Sequence, residues 1–219
     1  MYFTISIPRL SPRLLSKLAG LAVFLPLVTS CAAPAADHGF RPISVDEFSD
    51  LKKSLLFTEE DVHYLRMSYE VLEPQVEDLL DVWYGFVGSN PHLLYYFSHP
   101  TSGEPNMHYL AEVRKRFRVW VLTTAEADFD QEWLHRQLEI GLRHHRINKN
   151  KTDGIQAVDH IPFRHLVALH YPITTTLKPF LAIGGHSQSE IDGMFEAWRK
   201  AVLLTTILWS QPYMAKEDF

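Results

Sequence analysis

Apolar residues recur at three- and four-residue steps in one segment after another from Val45 onward, and no convincing run of strand alternation interrupts them. That period marks one buried stripe per helix, so the chain is constrained to an all-α fold whose helices share a core. Capping residues and prolines mark the starts. Val45 to Leu56 reads as a short first helix, and Thr58-Glu59-Glu60-Asp61 opens a second that runs to about Leu72. Pro74 begins a third, with Val76, Leu79, Leu80, Trp83, Phe86 and Val87 along its core-facing stripe. Gly88-Ser89-Asn90-Pro91 breaks that helix, and His92 to Phe97 forms a short aromatic corner.

The next helix spans about Asn106 to Leu122, with Leu110, Val113, Phe117 and Val121 on one face. Arg114, Lys115, Arg116 and Arg118 lie mostly on its other sides and read as a solvated face, not a phosphate site. Asp130 caps a helix through about Arg146, followed by the polar loop from Asn148 to Gly154. Pro162 opens an apolar helix through Leu169, Ile173 and Leu177, where Pro172 and Pro179 each remove a backbone donor and predict a kink or break. Ser187 and Glu190 form a capping box for the last long helix, which turns Met194, Trp198, Val202, Thr205 and Trp209 inward. Seven or eight helices around one core, with no internal repeat, is globin-like architecture.

Composition narrows the partners. Of the net charge of −5, the first 30 residues hold Arg9, Arg13 and Lys17 and no acid, which leaves −8 for the remainder. Such a body argues against nucleic acid, whose phosphates need a net basic face. Cys31 is the single cysteine. There is then no intrachain disulfide, zinc-cysteine cluster or Cys-x-x-Cys-His haem attachment.

The cations at 9, 13 and 17 precede an apolar run from Leu18 to Val28, shorter than the roughly 20 residues a bilayer span requires. With Val28-Thr29-Ser30-Cys31 at its end, the segment resembles a bacterial lipoprotein signal in which Cys31 becomes the lipidated first residue. Residues 1–31 are thus read as an address, 32–44 as an Ala- and Pro-rich tether, and 45–219 as the folded domain, held in the periplasm or at a membrane. Cleavage within Ala32 to Ala36 is the first alternative, and a cytoplasmic chain starting near Val45 is the second.

For chemistry, the densest cluster is Leu142-Arg143-His144-His145-Arg146. On a helical wheel His144 falls beside Trp133, Gln137 and Ile140, and His145 beside Leu134, Leu138 and Gly141. Each borders the apolar face, so periodicity does not choose between them. No phosphate-binding glycine loop, Gly-x-Ser-x-Gly elbow or His-Glu-x-x-His pair is found, which leaves ordinary kinase or hydrolase chemistry unsupported. Glu70, Glu73, Glu77, Asp78 and Asp81 read as charged surface.

From about Leu51 to Phe219 the chain resembles the protoglobins, single-domain haem proteins related to the globin modules of gas sensors. The resemblance rests on Asp81-Val82-Trp83-Tyr84-Gly85-Phe86-Val87-Gly88-Ser89, His92-Leu93-Leu94-Tyr95-Tyr96-Phe97, Val113-Arg114-Lys115-Arg116-Phe117, Glu139-Ile140-Gly141-Leu142-Arg143-His144-His145-Arg146, Tyr171-Pro172-Ile173-Thr174 and Lys178-Pro179-Phe180-Leu181-Ala182. It implies a globin-like helical sandwich with an extra N-terminal helix, binding haem b without covalent attachment. His144 becomes the proximal iron ligand, Trp83, Tyr84 and Phe117 distal residues, and Phe97 and Ile173 pocket-packing positions. The implied ligands are oxygen, carbon monoxide and nitric oxide, for sensing, storage or scavenging; the alternative is a haem enzyme acting on nitric oxide, nitrite or peroxide. A homodimer through the C-terminal helices is a further implication.

Three features depart from the family. Leu169 stands at a haem-environment position where a relative carries phenylalanine, His170 adds an imidazole to an apolar stretch, where it is read as a core histidine, and no Ile-Pro-Gly-Tyr block lies in the N-terminal part.

The N-terminal reading predicts that the wild-type protein fractionates with membranes and that Cys31→Ser releases it. Equal solubility of both, with an unprocessed N-terminus, would contradict the reading.

Overall fold

The computed structural model describes residues 39–219, so the signal-like segment with Cys31 and most of the tether lie outside the described residues. Eight α-helices follow in order: α1 (Val45–Ser54), α2 (Glu59–Leu72), α3 (Val76–Gly88), α4 (Pro91–Leu94), α5 (Met107–Glu126), α6 (Gln131–His144), α7 (Phe163–Leu181) and α8 (Gln188–Ser210). Short 3₁₀ turns follow α2, α4, α7 and α8. Among the described residues the sole β pairing is one isolated bridge, Ser98 to Pro105.

The caps are where the sequence puts them. Ser44 Oγ accepts from the Glu47 amide at 3.2 Å while Glu47 accepts from the Ser44 amide at 2.6 Å, and Ser187 with Glu190 repeats the arrangement on α8. Asn106 and Asp130 accept from the amides of Tyr109 and Trp133, which holds the first turns of α5 and α6. α5 ends at Ala127 in the left-handed region, φ 55°, several residues beyond the predicted stop at Leu122.

α8 is the central helix, packed on α2, α6 and α7. Met194, Trp198, Val202, Thr205 and Trp209 are buried, as its pattern predicts. Two polar ties fix it to α2: Trp198 Nε1 donates to Ser68 Oγ at 2.8 Å, and Lys200 Nζ reaches both Asp61 oxygens at 2.9 Å. Since a buried N–H left unpaired is costly, the first tie sets the register of α8 against α2 as well as holding it. α1 is the extra N-terminal helix; its buried Phe48 ring meets Phe129 and Trp133 at centroid distances of 5.7 and 5.6 Å.

Three expectations are corrected. α7 runs unbroken from Phe163 to Leu181 through Pro172 and Pro179. The carbonyls that the prolines leave without a helical donor belong to Ala168 and Thr175, both exposed residues, where solvent can serve in the missing donor's place. α6 stops at His144 instead of about Arg146, because His145 leaves the helix in an extended conformation, ψ 155°. Phe86 is not in the core; it is exposed, with its ring 5.6 Å from that of Trp83 at a tilt of 32°.

α6 and α8 lie close together at Gly141, where an added Cβ would meet Trp209 Cα at 3.0 Å and Trp209 O at 3.1 Å. Gly141→Ala forces the two backbones apart at an overpacking cost of about 1–3 kcal/mol. That exceeds the roughly 1 kcal/mol of helix propensity gained. Gly85, in α3, has open space around it, so Gly85→Ala gains propensity alone. Urea denaturation should therefore show a lowered midpoint for Gly141→Ala and a raised one for Gly85→Ala; a raised midpoint for both would show that α6 and α8 are not in tight contact there.

Candidate functional site

α3, α5, α6, α7 and α8 enclose a cavity whose walls are mostly aromatic and aliphatic. A concave, mostly apolar lining with a few polar groups is the character of cofactor and small-molecule sites. α3 contributes Trp83 and Tyr84, the aromatic corner Phe97, α5 Phe117 and Trp120, α7 Leu169 and Ile173, and α8 Val202, Thr206 and Trp209. His144 lines the same cavity from the last turn of α6. All seven residues singled out in the sequence, His144, Trp83, Tyr84, Phe97, Phe117, Ile173 and Leu169, thus share one space.

The structure separates the two neighbouring histidines. His144 Nδ1 lies 2.8 Å from the Ile140 carbonyl oxygen. A carbonyl only accepts, so Nδ1 carries the hydrogen and Nε2 keeps a lone pair. The ring stacks on Trp209 at 5.4 Å and 21°. Although partly accessible, His144 lines the cavity, and enclosure by protein pushes its pKa down to about 4. It is therefore neutral at physiological pH, the form in which imidazole ligates a metal. His145 does not line the cavity; its ring meets His160 at 5.0 Å and Tyr213 at 5.1 Å.

Aromatic contacts link the walls. Trp83 meets Phe117 at 5.7 Å, Phe117 stacks on Trp120 at 5.1 Å, and Trp120 meets Trp209 at 5.6 Å. Through Trp209 and its stack on His144 the series runs from α3 to α6. Gln137 Oε1 receives the Trp209 Nε1 hydrogen at 3.1 Å and so fixes the indole. Burial raises the Tyr84 pKa, with Arg114 and Arg116 acting in the opposite sense. Its hydroxyl consequently stays protonated and available as a donor. The buried Trp120 Nε1 has no hydrogen-bond partner, so a second unused donor belongs to a cavity-lining residue.

Several lining residues were not foreseen from the sequence. Arg116 is no part of a solvated face: it lines the cavity and pairs with Asp153 through two hydrogen bonds of 2.8 and 2.7 Å. Its neighbours Arg114, Lys115 and Arg118 pair with Glu77, Asp81 and Glu112 as an ordinary charged surface does. Lys149, from the loop read as polar surface, is 1% exposed and lines the cavity with Arg143. Tyr96 and His165 also line it, joined at 3.1 Å through the phenol oxygen and Nε2. The period-based pattern identified Trp209 as core without revealing its stack on His144. His170 stays outside the cavity lining and, through Nε2, meets the Arg199 carbonyl at 3.0 Å, which ties α7 to α8.

Could the cavity hold haem? Among the described residues no three His, Cys, Asp or Glu side chains gather as a metal site. His144 offers one nitrogen, so an ion bound there needs donors from a cofactor, as iron has in a porphyrin. An apolar cavity with the neutral His144 imidazole on one wall and protonated donors on others fits that group.

Comparisons with known proteins bear on the fold and the family. The chain's fold is similar to the globin domain of a Geobacter sulfurreducens globin-coupled sensor, with a TM-score of 0.60 at 16% identity over 79% of this chain and 99% of that one. No match was found among curated proteins. The sequence profile of the protoglobins matches residues 44–218, and the chain, all-helical and globin-folded, belongs to the protoglobin family.

Proposed function

We propose that the domain binds haem b non-covalently, with His144 as the proximal ligand, and that it captures oxygen, carbon monoxide or nitric oxide reversibly for sensing, storage or scavenging. The observation that carries this reading is the state of His144: Nδ1 is committed to the Ile140 carbonyl, and the ring is neutral and lines an apolar cavity. A partner on the outer nitrogen fixes the tautomer and orients the ring of a ligating histidine.

Bound haem supplies an iron with one position open to a diatomic molecule; the remaining tasks fall to the protein. Phe97, Ile173 and Leu169 pack against the macrocycle and exclude water. Trp83 and Phe117, in ring contact at 5.7 Å, limit access on the distal side. Tyr84, kept protonated by burial, donates a hydrogen bond to the diatomic ligand and favours the more polar oxygen over carbon monoxide.

Titrating the purified protein with haem should give one equivalent of uptake and, on reduction under carbon monoxide, the spectrum of a histidine-ligated carbonyl complex. Tyr84→Phe should keep that uptake and lose oxygen faster, by about tenfold or less, as one hydrogen bond is worth about 0.5–1.5 kcal/mol net. Carbon monoxide loss should change less. Absence of uptake would overturn the function, and an unchanged oxygen off-rate would leave Tyr84 a packing residue.

A further inference from the structure

One part of the cavity wall is cationic. Arg116 from α5, Arg143 from α6 and Lys149 from the following loop all line it, and all three lie close enough to His144 for their charges to oppose its protonation. Arg116 has a bidentate carboxylate partner in Asp153. The other two cations form no ion pair among the described residues. Arg143 Nε is buried with no hydrogen-bond partner, although the carboxylates of Glu139 and Asp153 attract the guanidinium without contact. Lys149 is 1% exposed; Nζ donates to the Tyr96 carbonyl at 2.7 Å and lies 4.8 Å from the centre of the Tyr109 ring. An ammonium group has three hydrogens to donate, and one carbonyl accepts one of them.

Buried lysine is rare without a counter-charge, because neither an amide dipole nor an aromatic face replaces the solvation lost. If Lys149 were only a strut under the aromatic corner, an uncharged side chain would serve with less desolvation. Two cations without a contact ion pair on the wall of a mostly apolar cavity are complementary to a ligand that is apolar in its body and carries carboxylates at one edge.

We propose that Lys149 and Arg143 receive the two carboxylates of the porphyrin and so set which edge of the macrocycle lies beside the loop after α6. The assignment rests on the haem reading above. Lys149 supplies its unused ammonium hydrogens and Arg143 its unused guanidinium hydrogens, while Arg116, held by Asp153, adds positive potential without a free fork.

The test compares haem with its dimethyl ester, which has the same ring and iron but no carboxylate charge. The rate at which each leaves the full-length ferric protein for an excess of a haem-acceptor protein is measured in wild type, Lys149→Met, Lys149→Arg and Arg143→Gln. The wild type should lose the ester on the order of tenfold faster than haem, as expected for charge-assisted hydrogen bonds. Lys149→Met and Arg143→Gln should each narrow that ratio, and Lys149→Arg should preserve it. Equal wild-type rates for haem and ester would overturn the carboxylate assignment while leaving haem binding intact. So would a Lys149→Met protein that loses both faster with an unchanged ratio, since Lys149 would then be a structural strut. If Lys149→Met fails to fold, the wild-type ratio and the other two variants still decide. Failure of the wild type to take up either porphyrin would instead remove the haem reading, and this assignment with it.

Discussion

At Gly141 α6 lies so close to α8 that a side chain would strike the backbone of Trp209. That approach sets one wall of the cavity. It allows the Trp209 indole to donate to Gln137 one turn earlier on α6 and to stack on His144 one turn later. The histidine is then held from two directions, by the indole face and by the Ile140 carbonyl. A wider spacing between the helices would release the indole and its bond to Gln137, and leave the carbonyl within α6 as the remaining restraint. Trp209 also passes the contact on to Trp120, and through Phe117 to Trp83 on α3, so the spacing of two helices affects the far wall as well.

Protein interiors are close-packed, and a cavity framed by large apolar side chains departs from that rule. The polar groups that line it are informative for the same reason. Trp120 Nε1 and Arg143 Nε are buried without partners, and Lys149 uses one of its hydrogens. Buried polar atoms without partners also occur away from the cavity, at Thr124, Trp133, Arg136, Asn150 and His160, whereas Trp198 pairs with Ser68 and Asp61 with Lys200. What distinguishes Trp120 and Arg143 among them is that their residues line the cavity.

The helices were legible in the sequence because their signals are local: a 3.6-residue period between caps such as Ser44, Asn106, Asp130 and Ser187. What local pattern could not resolve was set by tertiary contact. His144 and His145 border the same apolar face on a wheel, yet the chain leaves the helix at His145, where the wheel ceases to apply. Lys149 lies in a polar loop that reads as surface and is buried because that loop folds beneath the aromatic corner to reach the Tyr96 carbonyl. Arg116 sits among three cations that are indeed paired surface, and nothing in the run of four marks it as the one that meets the cavity. Pro172 and Pro179 carry the usual signal of a break, but the carbonyls they orphan are exposed, so the helix continues. Of the site, the seven residues indicated by family resemblance all reached one cavity, whereas its cationic wall had no readable signature.

The central claim is that the imidazole at the end of α6 which lines the cavity, and not its neighbour, holds the iron. The most direct measurement is the visible spectrum of the reduced carbon monoxide complex in His144→Gly and in His145→Gly, each recorded with and without added imidazole. The account predicts that His144→Gly loses the wild-type spectrum and that imidazole, occupying the vacated space, partly restores it, while His145→Gly keeps the wild-type spectrum throughout. The reverse pattern, or a wild-type spectrum in both variants, would contradict it.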